Sequence, residues 1–325
     1  MKPQDNILQD AISLAEAWQK RADALMTRKE NQIQEQMQKM LTHPTDKIVM
    51  TKMIDQSFRS HNHKRVANQL NYVLEKYGVP EFFSSTEQML MQLFLKVGRH
   101  FPHIAVPKVV ERIRSDSARS VIPAEAHIFN AHLKKRRKAG VRMNINHLGE
   151  AVLGEEESLY RLKTYLEDLK RPDIEYISVK ISTIYSQISS LAFEHTTEIL
   201  IDRLTRLFRA ARDHEFVRPD GTRGPKFVNL DMEEYRDMEI TKEAFIRTLN
   251  MDEFKTHSAG IVLHAYIPYS YPIQKEITDW AKARVADGGA PIKLRIVKGA
   301  NMEMELVEYS IKNWPLAPYD NKLEV

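Results

Sequence analysis

The 325-residue sequence contains no cysteine, which excludes disulfides, thiolate nucleophiles and zinc–thiolate centres. It has no run of about 18 apolar residues, so no segment reads as a membrane-spanning helix. The N-terminal stretch MKPQDNILQDAISLAEAW lacks the apolar centre of a secretory signal, and the expected location is the cytoplasm. An excess of one charge is also missing: 48 basic residues against 44 acidic leave +4, spread along the chain. The densest basic run, Lys134 to Lys138, carries no interleaved aromatics that would stack on bases, so no nucleic-acid partner is expected. It reads instead as the cationic last turn of a helix that stops before Gly140. No His, Asp and Glu spacing suggests a metal site.

Two rhythms divide what is present. Residues 1–139 carry helical patterning: Leu8, Ile12, Leu14, Ala15 and Trp18; then Val66, Leu70, Val73 and Leu74; then Met89, Leu90, Leu93, Phe94 and Val97. Prolines punctuate these stripes, no strand is expected here, and Met53, Met89 and Met91 read as core filler. From residue 140 the pattern alternates. Short apolar runs at Val141–Leu148, Ile174–Ile181, Lys226–Leu230, Gly260–Ile267 and Ile292–Val297 are separated by helical stretches at about 155–170, 193–214, 241–250 and 271–287. A further helix begins near Glu303. Five such units imply parallel strands joined by right-handed crossovers, in a doubly wound sheet or a (β/α)-barrel. No GxGxxG follows the first run, which counts against a Rossmann dinucleotide site.

The last run, IKLRIVKGAN, is the most informative. A buried strand tolerates a charge such as Arg295 only where it has a partner, and Gly299 after it lets backbone approach something closely. The other runs match it. Glu150 follows the first, Lys180 lies in the second, Asp231 ends the third and His264 lies in the fourth. Singly, each has an ordinary reading: a snorkelling lysine, an N-cap aspartate, a core histidine, an Arg295–Asp231 pair. Together they fit a barrel mouth, where active sites are assembled from the C-terminal ends of several strands. Lys180 and Arg295, two cations near apolar walls, suit a substrate carboxylate and an electron-rich cofactor. The residues alone thus lead to a barrel enzyme acting on a small anionic substrate.

The segments HLGEAVLGE, YISVKIS, FVNLDMEEYRD, GIVLHAY and RIVKGANMEMELVE resemble, in that order, the motifs of the proline dehydrogenase barrel of proline utilization A proteins. The resemblance runs from about Val141 to Val325 and implies a (β/α)8 TIM-like barrel, incomplete here at about five βα units, in residues 140–325. Residues 1–139 would be the helical arm and linker before it. It also implies FAD-dependent oxidation of L-proline to Δ1-pyrroline-5-carboxylate, with electrons passed to a quinone, peripheral contact with the inner face of the membrane, and an aldehyde dehydrogenase domain further along the full protein. By the same resemblance Lys180 pairs with the proline carboxylate, Asp231 is the catalytic-site aspartate and Arg295 lies beside flavin N5. Val297, Gly299 and Ala300 pass close to the flavin, His264 contacts it, and Glu150 supports the site from behind. Two positions depart from relatives: His264 stands where they carry glutamine, and Asn301-Met302 where many carry Tyr-Trp. The expectation is a fragment of a longer enzyme. The alternative is an inactive truncated barrel serving only as a scaffold or binding module.

Overall fold

The computed structural model describes residues 3–53, 57, 60, 62–117, 122–148, 152, 154–299, 301–321 and 324–325. Contacts divide the chain into two compact units, Met1–Ile122 and Pro123–Val325.

The first unit is helical: α1 (Pro3–Leu25), α2 (Arg28–Thr42), α3 (Pro44–Lys52), α4 (His63–Tyr77), α5 (Ser85–Val97) and α6 (Pro102–Ser117). Capping boxes start two of them, Thr27 with Glu30 on α2 and Ser84 with Glu87 on α5, each satisfying otherwise orphaned backbone N–H groups. The α4 stripe Val66, Leu70, Val73 and Leu74 is buried as its spacing predicts, and Met53, Met91 and Phe94 join the same cluster. Met89 does not. It is 63% exposed, as are Leu90, Leu93 and Val97 to a lesser degree, because the buried face of α5 runs through Met91 and Phe94. The apolar residues of α1, Leu8, Ile12, Leu14 and Trp18, are likewise exposed.

The second unit opens with α7 (Ala126–Lys138), whose Leu133 lies in that unit's core. Lys135, Arg136, Arg137 and Lys138 occupy its last turn, as the charge run predicts, and the Gly140 N–H closes onto the Arg137 carbonyl. There follow β1 (Asn144–Asn146), α8 (Glu155–Lys170), β2 (Tyr176–Lys180), the single turn α9 (Ile181–Ile184), α10 (Phe193–Asp213), β3 (Glu215–Val217) and β4 (Arg223–Pro225). Then come β5 (Phe227–Asp231), α11 (Met238–Leu249), β6 (Gly260–His264), α12 (Ser270–Ala286), β7 (Lys293–Val297) and α13 (Met302–Lys312). The five predicted strands pair in parallel in the order β1-β2-β5-β6-β7, each beside its predecessor, with at least one helix between consecutive members. This is the α/β architecture of an incomplete (β/α)8 barrel preceded by helices.

Alternation along the strands assigns the two faces. Ile145, Ile177, Val179, Val228, Leu230, Ile261 and Leu263 are buried in one cluster with Leu162, Leu200, Leu204, Phe245 and Ile273 of the crossover helices. In-register partners carry the opposite face: Asn146 and Ser178, Lys180 and Asp231, Val262 and Arg295, His264 and Val297. A parallel sheet covered on both sides is apolar on both, and barrel interiors are normally filled by branched aliphatics. Here the inner face is polar.

Two features of the second unit also differ from the sequence expectations. A small antiparallel hairpin, β3 with β4, occupies the segment after α10. Its turn is Arg218-Pro219-Asp220-Gly221-Thr222: Asp220 accepts from the Thr222 N–H (2.9 Å), and Gly221 adopts φ +84°, which a Cβ would resist. Strand β7 is not buried. Lys293, Arg295 and Ile296 are exposed, because β7 is an edge of the sheet and pairs only with β6 among the described residues.

Candidate active site

Three tiers of side chains fill the polar face. At the N-terminal end of the strands Tyr176 and Phe227 meet edge to face with centroids 4.9 Å apart, and the Lys293 ammonium caps both rings at 5.2 and 4.8 Å. Above them Ser178 and Asn229 are fully buried, and Asn144 Nδ2 donates to Ser178 Oγ (2.9 Å). A Cβ on Gly260, which faces Asn229 in register, would sit 2.5 Å from Asn229 Oδ1. The glycine makes room for the amide.

The upper tier lies at the C-terminal ends of the strands. Asp231 is its hub: Oδ1 accepts from Asn229 Nδ2 (2.7 Å) and Arg295 Nη2 (3.2 Å), and Oδ2 accepts from Asn146 Nδ2 (3.2 Å). Asp231 is buried, and burial pushes its carboxyl above the usual aspartate range against the lowering pull of Arg295 and Lys180. Lys180, last residue of β2, donates to Glu233 Oε1 (2.6 Å), just past the end of β5. Ser182 Oγ donates to the other oxygen of the same carboxylate.

His264 ends β6, is buried, and stacks on Tyr266 with centroids 5.0 Å apart. Burial holds its imidazole below the ordinary histidine range, which favours the neutral ring. Among the described residues, His264 Nδ1 and the Tyr266 hydroxyl have no hydrogen-bond partner. Gly299 follows β7 at φ +111°, and a Cβ there would overlap Tyr266 Cδ1 at 1.8 Å. The close approach anticipated for this glycine is therefore to Tyr266.

Lys180, Asp231 and Arg295 thus lie on one face of three strands, and His264 and Val297 are in register on β6 and β7. Glu150 and Ala300 lie outside the described residues. Asn146, Asn229, Ser182 and Glu233 also belong to this cluster without having stood out in the sequence, and Asn301, marked there only as a departure from relatives, joins it through the Glu233 carbonyl. Asn-Ile-Asn in β1 and Asn-Leu-Asp in β5 place polar groups two residues apart, a signal that was available. Glu233 sits in a loop of mixed charges and leaves no periodic trace.

A parallel α/β barrel segment with paired cations and carboxylates at the C-terminal ends of its strands defines the class: an enzyme domain of the barrel type. A family model described as proline dehydrogenase matches residues 129–325. The chain belongs to the proline dehydrogenase family. Among solved structures it is similar to proline utilization A from Corynebacterium freiburgense, at 39% identity and a TM-score of 0.58 over 66% of this chain and 22% of that one. It is also similar to proline utilization A from Bdellovibrio bacteriovorus inactivated by N-propargylglycine, at 26% identity and a TM-score of 0.60 over 89% of this chain and 32% of that one. The chain therefore spans between a fifth and a third of these relatives' length. A comparison with curated proteins gave no match.

Proposed function

We propose that this chain carries the proline-binding and flavin-facing residues of an enzyme that oxidises L-proline to Δ1-pyrroline-5-carboxylate and passes the electrons to a quinone. The observation that carries the reading is the convergence of Lys180, Asp231 and Arg295 on the polar face of one parallel sheet, Lys180 and Asp231 on neighbouring strands and Arg295 reaching Asp231 across β6. While α7 packs within the barrel unit, the helices of the first unit, Met1–Ile122, are the arm of that enzyme. Its quinone partner implies peripheral contact with the cytoplasmic face of the membrane, and an aldehyde dehydrogenase domain would belong to the full protein. Among the described residues no helix is long and apolar enough to cross a membrane.

The residues present fit FAD. His264 Nδ1 and the Tyr266 hydroxyl are buried polar atoms lacking partners beside the upper tier, and such groups ordinarily have one. Arg295, 42% exposed on its side chain, keeps guanidinium donors beyond the one on Asp231. FAD, when bound, supplies a two-electron acceptor for the C–H bond beside the ring nitrogen. Arg295 and His264 would hold its ring edge, with Val297 and Gly299 as the neighbouring wall. Lys180 binds the substrate carboxylate through a charge-assisted hydrogen bond. Asp231 fixes Arg295 and offsets its charge.

The test is rapid-mixing absorbance of the purified, flavin-loaded protein. Arg295→Met should slow flavin reduction by proline at least about tenfold, the order expected for loss of one electrostatic contact. Lys180→Ala should mainly raise KM. Reduction at the wild-type rate in R295M would remove Arg295 from the reaction. N-propargylglycine, which inactivates the Bdellovibrio relative, carries the same secondary amine and carboxylate as proline. It should inactivate this protein irreversibly, and more slowly in K180A. Activity fully recovered after dialysis would count against proline as the substrate.

A further inference from the structure

The loop after β5 is held at four points. Glu233 Oε1 accepts from Lys180 Nζ (2.6 Å), and its other oxygen accepts from Ser182 Oγ. Its backbone carbonyl accepts from Asn301 Nδ2 (3.0 Å). Two residues on, the Tyr235 N–H donates to Glu305 Oε1 (2.7 Å) in the first turn of α13. Asn301 is the residue before α13, where an asparagine ordinarily caps the helix with its own side chain. Here it makes no such cap and is spent on the Glu233 carbonyl.

We propose that Glu233 is a positioning residue: it fixes the Lys180 ammonium so that its remaining N–H donors face the substrate carboxylate, with Ser182 and Asn301 holding Glu233 in place. The inference rests on the proline-oxidising reading of the site. A lysine on a four-carbon stem is a mobile point charge, and carboxylate recognition requires it to be ordered. Its three donors leave two after the Glu233 bond. Both side chains of the pair are mostly buried, at 24% and 20% exposed. A lysine left alone there, on the same face as Arg295, loses support for its charge. The anchoring of Glu233 at both its side chain and its backbone makes it a fixture that stays during turnover. A temporary occupant of Lys180, displaced by substrate, would not need the Asn301 and Ser182 contacts.

Steady-state proline oxidation by the flavin-loaded full chain separates these possibilities. Glu233→Ala should raise KM for proline about tenfold with kcat within about twofold, the signature of lost uniform binding. In a Lys180→Ala background the same substitution should add almost nothing. Asn301→Ala should raise KM in the same direction by a smaller factor. Should E233A fold poorly, E233Q keeps the shape and one acceptor oxygen and gives an intermediate KM. A fall in KM in E233A, or an equal rise with and without Lys180, overturns the proposal and leaves the functional reading standing. Labelling of Lys180 by an amine-modifying reagent, mapped by mass spectrometry, reads the pairing without turnover. Labelling should be slow in wild type and faster in E233A, and equal rates would exclude the pairing. A wild-type protein that neither binds nor oxidises proline overturns the functional reading and this inference with it.

Discussion

At the scale of single residues, Asp231 is where charge and packing meet. It holds Asn229, Asn146 and Arg295 at once, so its removal leaves two amides and a guanidinium without their acceptor. Stranding the partner of a buried ion pair costs about 3–5 kcal/mol, and Arg295 is partly exposed, which places Asp231→Ala nearer the lower bound. Asp231→Asn keeps the shape and one acceptor, and should lose roughly half as much. Urea titrations of the three proteins, read at far-UV wavelengths, check the order, and an alanine variant as stable as wild type would remove Asp231 as the hub. Lys180, Asp231 and Arg295 were legible because a charge inside a β-branched run is conspicuous. Glu233 was not, since in Asp-Met-Glu-Glu-Tyr-Arg-Asp each acid looks like its neighbours and only the fold selects one. Asn301 was legible as a departure from relatives, but its bond to the Glu233 carbonyl depends on where α13 begins.

At the scale of elements, the β7–α13 turn is the most constrained piece of backbone. Gly299 has a φ of +111°, and any Cβ would overlap the Tyr266 ring, which is itself buried. Gly299→Ala therefore incurs strain and overlap together, for an expected loss of about 2 kcal/mol or more. Thermal unfolding of the variant measures it. Pairing it with Tyr266→Ala should recover only the steric part, so a double variant no more stable than Y266A plus the full G299A loss would leave backbone strain as the whole effect. The five strands and their crossover helices were readable because each strand carries aliphatics on alternate residues and each helix a separate stripe. The β3–β4 hairpin leaves no sequence trace beyond Pro-Asp-Gly at its turn, because three-residue strands carry too little periodicity to stand out. The exposure of β7 and of Met89 depends on what lies beside them, which local patterning does not encode. For α7 the charge run and Gly140 mark a helix end, but its packing through Leu133 into the core of the second unit is a tertiary fact.

At the scale of the whole molecule, the buried acids around the site should each make a contribution to stability that falls as pH rises. Asp237 is buried in the turn before α11 and is pushed from an ordinary value of 3.8 up to about 7, chiefly by burial and then by Glu234, against the pull of Arg236. Burial raises Glu305 and Asp231 in the same sense. Between pH 4 and 7 the folded protein then retains a proton on Asp237 that the unfolded chain has released. The native state binds more protons at this residue, so its contribution to stability declines as pH rises through that window and levels off above about 7, opposite in sense to buried His257 and His264, which burial holds below the ordinary histidine range. At about 1.4 kcal/mol per unit, the contribution of this residue is at most about 4 kcal/mol. Asp237→Asn cannot ionise, so it should match wild type near pH 4 and exceed it by up to that amount at pH 8. Chemical denaturation of both proteins at pH 5, 6, 7 and 8 gives the two slopes. Parallel slopes would mean that Asp237 is ionised in the folded protein at low pH and that the cluster of Glu233, Glu234, Asp237 and Glu305 is better compensated than its burial implies. A steeper wild-type slope would instead make this cluster a cost in stability that the fold accepts next to the loop holding Lys180 in place.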